Sequence, residues 1–384
     1  MFRSFQSTTF FILLALFFVS GSGCNDNTKD KELIFDDPEA GSSSKKPIEL
    51  FVLKNSKGME VDITNYGAKV VRILTPDKNG TMADIVLGYD HLKDYIKGNP
   101  YFGATIGRYA NRIANGRFML DSVYHKLALN NGPNALHGGP RGFHNVVWDA
   151  RKKSSDIGQS LELNYFSKDG EEGYPGNLTV KVVYLLTEEN QLFIDFYATT
   201  DKNTIVNMTH HSFFNLTGEG NGDILDHKLK IVAKYYTPVD STLIPTGEIA
   251  PVAGTPFDFT SFRTIGSRIK QQNQQLKYGR GYDHNFVLDR EDKSLLLAAA
   301  IYDPKSGRSM EVYTKEPGIQ FYSGNFLDAT DIGKGGKAYQ YRSAFCLETQ
   351  HFPNSPNQPN FPSVILTPKE KYHHTCVYQF GIKK

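Results

Sequence analysis

The sequence predicts an all-β protein, a single large antiparallel β-sandwich with a few short helices. Three observations carry this expectation. Short runs with apolar residues at alternate positions recur from Ile48 onward, clusters of turn-forming residues separate them, and few windows sustain a 3.6-residue apolar period. Taken along the chain, the first clear turn cluster is Asp77-Lys78-Asn79-Gly80. The best helical windows lie near Asp90 to Lys97 and Ser261 to Leu276, each with a polar start that could cap a short helix. Asn130-Asn131-Gly132-Pro133 is a second turn cluster. The strongest signal spans Leu178 to Leu186, turns at Thr187 to Asn190 and resumes from Gln191 to Thr199, which reads as a hairpin. No internal repeat and no composition break suggests a second domain.

Composition limits the function classes. With 384 residues, 39% of them hydrophobic, the chain can bury a large core, which excludes a disordered protein. Lys and Arg total 43 against 41 Asp and Glu, without a long basic stripe, so nucleic acid is not an expected partner. Aromatic residues are abundant, with 21 Tyr and 26 Phe but only Trp148 as tryptophan. Most should fill the sandwich, leaving one or two to stack on a ligand.

The N-terminus reads as an address. Arg3 precedes an apolar run from Phe10 to Val19, too short to span a bilayer as a helix but suited to a signal-peptide core. Gly21, Ser22 and Gly23 lead to Cys24, similar to a bacterial lipobox except that Gly21 stands where leucine is usual. The expected organisation is a lipoprotein signal peptide over 1–23, a flexible polar tether over 24–46 and one domain over 47–384. Cleavage at an ordinary site nearby is the alternative. Either route exports the protein, and lipidation of Cys24 would hold it at the periplasm or cell envelope with the lipid as its membrane contact. Cys346 and Cys376 are too few for a disulfide framework; one bridge between them stays open.

Three segments concentrate groups a sandwich core does not need. Gly107 to Ile113 (GRYANRI) carries Arg108, Asn111 and Arg112, donors suited to sugar hydroxyls or a carboxylate, or alternatively to pinning a loop. Downstream, His137 sits before Gly138 and Gly139, which permit close approach of backbone or ligand. Asn207 to Leu216 (NMTHHSFFNL) places His210 and His211 side by side, so on a strand only one of them can enter a given site. Metal ligands on one strand should sit two apart, and neither HExxH nor Cys-x-x-Cys accompanies this pair. The last segment joins Asp283 in Tyr282-Asp283-His284-Asn285 to Glu348 in Phe345 to Pro353. Glu348 is expected where a strand empties into a loop, partly desolvated and so a better base, or else paired with an arginine.

In this order, the motifs GRYANRI (107–113), ALHGG (135–139), THHSFFNL (209–216), YDHNF (282–286), GIQFYSGN (318–325) and LETQHFPNSPNQPNFP (347–362) resemble the aldose 1-epimerases, or galactose mutarotases, from about Ile48 to Gly381. The resemblance implies the galactose mutarotase-like supersandwich and interconversion of the α and β anomers of free hexoses such as glucose and galactose. Residue by residue, it implies Glu348 as general base, His211 as general acid and His137 as an assistant at the same oxygen. It further implies Arg112 with Asn111 as sugar-binding donors, Asp283 as a hydroxyl-orienting carboxylate and Gln320, near the base, as a further substrate-binding residue. It implies neither metal nor organic cofactor. His210 stands where many relatives carry Asn and, by alternation, should point away. Ring opening needs a proton taken from the C1 hydroxyl and one given to the ring oxygen, so the acting His211 is expected as imidazolium, sustained by nearby carboxylates. Two other classes compete: a hydrolase or lyase using Glu348 and Asp283 on a polymer, and a catalytically silent sugar-binding lipoprotein. A sugar-phosphate epimerase would need more basic residues around the site.

Overall fold

The computed structural model describes residues 33, 35, 46–98, 100–290 and 294–383; the predicted signal peptide, Cys24 and most of the tether lie outside the described residues. A sheet of nine antiparallel strands runs in the order Asp149–Ser155, Gly158–Ser167, Leu178–Thr187, Gln191–Thr200, Tyr372–Ile382, Arg308–Thr314, Leu296–Tyr302, Lys228–Ile231 and Arg263–Thr264. The predicted hairpin lies within it. Leu178, Val180, Val182, Tyr184 and Leu186 alternate into the core, and Leu186 pairs with Leu192 across the turn. Thr187 Oγ1 accepts the amides of Glu189 and Gln191, while Asn190 takes φ 61°, a conformation asparagine tolerates. The C-terminal strand Tyr372–Ile382 sits in mid-sheet between Gln191–Thr200 and Arg308–Thr314.

A five-stranded sheet, ordered Ala250–Pro251, Tyr235–Tyr236, Asp283–Val287, Gly318–Tyr322 and Cys346–Gln350, lies over one part of the same core. A third sheet of four strands runs from Leu50–Lys54 to Met82–Asp84. One continuous apolar cluster draws Val61 and Ile63 from the third sheet, Val182 and Ile194 from the large one, and Phe286, Phe321 and Leu347 from the five-stranded one. Burial of such side chains, at roughly 25 cal/mol per Å² of apolar surface, is what holds the layers together. Trp148 is fully buried, with its ring edge-on to Phe143 and its Nε1–H donated to the Phe143 carbonyl at 3.2 Å.

Among the described residues, α-helix is confined to two six-residue segments, Leu92–Lys97 and Gln274–Gly279. The second corrects the longer window expected from Ser261 to Leu276. Arg263–Thr264 instead pairs with Lys228–Leu229 as a sheet edge, and the helix starts only where Asn273 caps the amides of Gln275 and Leu276. Phe35 is buried, with its ring 5.8 Å from that of Tyr95, a contact that carries the folded unit back into the predicted tether. Cys346 and Cys376 are both free and buried, so the bridge left open by the sequence is not formed.

Candidate active site

The five-stranded sheet supplies most of the site through strand alternation. Asn285 pairs with Gln320 and Gln320 with Glu348, so these side chains stand abreast on one face, joined by Asp283 and Gln350. The opposite face carries His284, Phe286, Ile319, Phe321, Leu347 and Thr349 into the core. Glu348 is therefore the central residue of Cys346–Gln350, not a strand end as its neighbouring Pro- and Asn-rich run suggested. Only 3% of it is exposed.

The remaining groups arrive from two short ladders. Thr209–His211 pairs with Ala104–Ile106 and divides the two histidines as alternation requires. His210 contacts Ser212 Oγ at 2.7 Å between the rings of Tyr184 and Tyr378, while His211 faces a cavity. Arg112–Ile113 pairs with Ala135–Leu136, and His137 follows at φ 52°. The glycine after it serves the backbone: a Cβ on Gly138 would lie 1.8 Å from the Gly107 carbonyl oxygen.

The cavity has a volume of about 520 Å³ and gathers His137, His211, Glu348, Asp283, Asn111 and Arg112 on its wall. His211 Nε2 lies 3.5 Å from Glu348 Oε2, and the reactive atoms of His137, His211 and Glu348 all fall within 4.8 Å of one another. Among the described residues, Glu348 Oε2 has no hydrogen-bond partner. Burial, reinforced by Asp283 and opposed by Arg112, pushes the Glu348 carboxyl well above its usual range. Burial also pulls His211 down to about 4 and His137 well below the usual imidazole value. The imidazolium that the reaction requires of His211 is therefore not the form that burial favours before the proton moves. On this buried wall the favoured pair is a neutral carboxylic acid beside a neutral imidazole, because taking either charge out of water costs more than nearby groups return.

The sequence profile of the aldose 1-epimerase family matches residues 49–379. This chain belongs to the aldose 1-epimerase family. It is 46% identical over 349 residues to a galactose mutarotase of Sus scrofa, covering 91% of this chain and 98% of the relative. The galactose mutarotase of Homo sapiens is 44% identical over 335 residues, 87% of this chain and 94% of the relative. An aldose 1-epimerase of Escherichia coli K12 is 38% identical over 337 residues, 87% and 96% of the two chains. The crystal structure of an aldose epimerase homologue from C. elegans superposes with a TM-score of 0.80 at 30% identity, covering 88% of this chain and all of the other. A galactose 1-epimerase from Lactobacillus acidophilus does so with 0.79 at 31%, covering 89% and 96%. The fold is thus the galactose mutarotase sandwich expected from the motifs.

Within this epimerase the two motif arginines part company. Arg108 is buried and donates to Ser167 Oγ and to the carbonyls of Ser167, Lys168, Pro175 and Gly176, the loop-pinning alternative. Arg112 lines the cavity, with Nη2 3.8 Å from Asp283 Oδ2 and Nε donating to Asn131 Oδ1 at 2.9 Å. Asn131 is thus an orienting residue that the sequence offered only as part of a turn. Gln320 does not reach the cavity wall. It stands beside Glu348 in register, near the base as the resemblance implies, and its amide donates to Asp283 Oδ1 at 2.7 Å, so it orients the aspartate from the side. Burial raises the Asp283 carboxyl, against the opposing pull of Arg112 and Gln320.

Cavity aromatics were not singled out by pattern. Tyr101 sits at φ 73°, with its ring centroid 4.6 Å from that of His137 and 5.9 Å from that of His211. Tyr322 stacks on Phe326 at the other side, 11° from parallel. The cluster of His137, His211 and Glu348 has a metal-like composition, but its hydrogen bonding favours proton chemistry. The Asn111 amide donates to His137 Nδ1 at 3.2 Å, so the neutral ring carries its proton on Nε2. A metal ion would have to displace that amide or that proton.

Proposed function

We propose that the protein equilibrates the α and β anomers of free aldoses, glucose and galactose among them, by acid and base catalysis at Glu348 and His211. The observation that carries this reading is the Glu348–His211 pair, 3.5 Å apart on the wall of a sugar-sized cavity. Glu348 takes the C1 hydroxyl proton while His211 gives one to the ring oxygen; the C1–C2 bond rotates, and closure reverses both transfers. Each positioned transfer is worth roughly 10² to 10⁴ in rate, sufficient for a reaction that already proceeds slowly in water.

The electrostatics suit one stage in particular. Opening starts from carboxylate and imidazolium and ends with carboxylic acid and neutral imidazole. That end state is the one burial favours, so the wall stabilises the protonation pattern that accompanies the open aldehyde. Across the cycle the pair keeps one proton between its members, which makes the total count, rather than either group's own titration, the condition for activity. Arg112, Asn111 and Asp283 bind the ring hydroxyls, and Tyr101 offers an apolar face.

Polarimetry on freshly dissolved α-anomers of several aldoses tests the activity; a rate no faster than the buffer blank for every sugar would overturn it. The same assay run against pH tests the proton count. A second proton enters the pair only as His211 charges, near pH 4, so kcat/KM should hold its plateau well below the ordinary histidine range and fall towards pH 4. The alkaline limb, loss of the shared proton, should lie above the ordinary carboxylate range. An acid limb near 6.5 would assign the protons differently.

The N-terminal reading extends this proposal to location. Phe10 to Val19 followed by Gly21-Ser22-Gly23-Cys24 supports export and lipidation at Cys24. In a bacterial host, a fatty-acid analogue should label the wild-type protein but not Cys24→Ala. Equal labelling of both, or none of either, would sink the anchor.

A further inference from the structure

Behind Glu348, on the face away from sugar, lies a set of buried polar contacts that proton transfer does not use. The two neighbours of Glu348 on its strand are both held by the C-terminal strand Tyr372–Ile382 of the large sheet. Tyr378 Oη donates to the Leu347 carbonyl at 3.0 Å, and His374 Nε2 meets Thr349 Oγ1 at 3.0 Å. His374 is held in turn, with Nδ1 2.8 Å from Glu316 Oε1. The other oxygen of Glu316 contacts His351 Nδ1, one residue beyond the Glu348 strand. His351 also donates its amide to Asn207 Oδ1 at 2.9 Å, and Asn207 Nδ2 reaches the Ala110 carbonyl beside Asn111 and Arg112.

Glu316, Thr349 and His374 are each at most 4% exposed, in a layer otherwise filled by Phe196, Leu347 and Tyr378. Packing such a layer needs no carboxylate. Burial alone would raise the Glu316 carboxyl, yet His351 and His374 outweigh it and hold the group well below its usual range. Apolar contact between two sheets permits sliding, whereas directional hydrogen bonds at i−1 and i+1 fix both the height and the tilt of residue i.

We infer that Glu316 is a positioning residue for the general base: clasped between His374 and His351, it fixes the strand that aims Glu348 at His211. This rests on the role of Glu348 given above. Misplacing a catalytic group by about an ångström can cost up to about a hundredfold in rate while leaving the groups that bind ring hydroxyls in place. The loss should therefore fall on kcat rather than KM.

The test compares Glu316→Gln, Thr349→Val, Glu348→Gln and the Glu316→Gln/Glu348→Gln double variant by polarimetry, with thermal unfolding recorded for each. Glu316→Gln should lower kcat about tenfold with KM within about twofold of wild type, and Thr349→Val should do the same to a smaller degree. The double variant should be no slower than Glu348→Gln alone, since a brace has nothing left to aim. A residue that merely stabilised the fold would lower the unfolding temperature without this split and without this non-additivity. Should Glu316→Gln fail to fold, Thr349→Val, which removes one hydroxyl at nearly constant volume, decides the matter. Wild-type kcat in the folded variants beside an inactive Glu348→Gln would overturn the brace alone. An active Glu348→Gln would overturn the base and the brace together.

Discussion

Glu348→Gln should slow anomer interconversion at least about a hundredfold with little change in the unfolding temperature. The two halves of that expectation have separate causes. Rate falls because an amide cannot take the C1 proton, and Gln320 and Gln350, its neighbours on the same sheet face, are amides with no proton affinity to lend. Stability holds because burial already keeps the Glu348 carboxyl neutral, so the substitution exchanges one uncharged, nearly isosteric group for another. Polarimetry after subtraction of the spontaneous rate, together with a melting curve, checks both. A variant with wild-type turnover would remove Glu348 from the chemistry.

His211→Asn should also cost at least about a hundredfold, but less than Glu348→Gln. Asparagine places no acid where Nε2 approaches Glu348 at 3.5 Å, and Cys346 Sγ loses the ring nitrogen it meets at 3.6 Å. The difference in severity comes from His137. Its Nε2–H, fixed by the Asn111 amide on the other nitrogen, still offers a hydrogen bond to the ring oxygen although it lacks a proton to release. The acid limb near pH 4 should disappear in this variant, because the titrating imidazole has gone. His211→Asn/His137→Asn should then fall towards the spontaneous rate. If His211→Asn alone retains full activity, the acid must be sought elsewhere on the wall.

Much of this architecture is written locally in the chain. Alternation from Leu178 to Leu186 and from Gln191 to Thr199 specifies a hairpin whose register the turn at Thr187 to Asn190 completes, and the same period-two rule separates His210 from His211 without reference to any partner. What escaped was information held between segments. Glu348 looks terminal because Pro353 and its neighbours follow closely, yet pairing with Gly318–Tyr322 carries the strand on to Gln350. Gln320 sits beside the base in register but reaches sideways to Asp283, a choice of rotamer that no spacing reveals. Tyr101 takes a left-handed backbone conformation that tyrosine rarely adopts, so propensity argues against its real position. The protonation of His211 depends on burial contributed by strands far apart in sequence, so the chain shows the proton the reaction requires but not the form in which the imidazole rests.

The two-sidedness of the five-stranded sheet reaches past catalysis to how the protein can fail. Asp283, Asn285, Gln320, Glu348 and Gln350 share one face, and Phe286, Ile319, Phe321 and Leu347 the other. A slip of one residue in the Cys346–Gln350 strand would send Glu348 into hydrocarbon and present Leu347 and Thr349 to the sugar. No intermediate register gives a weaker enzyme. Errors made in assembling this sheet should therefore surface as lost soluble protein, and whatever protein remains soluble should be fully active molecule for molecule.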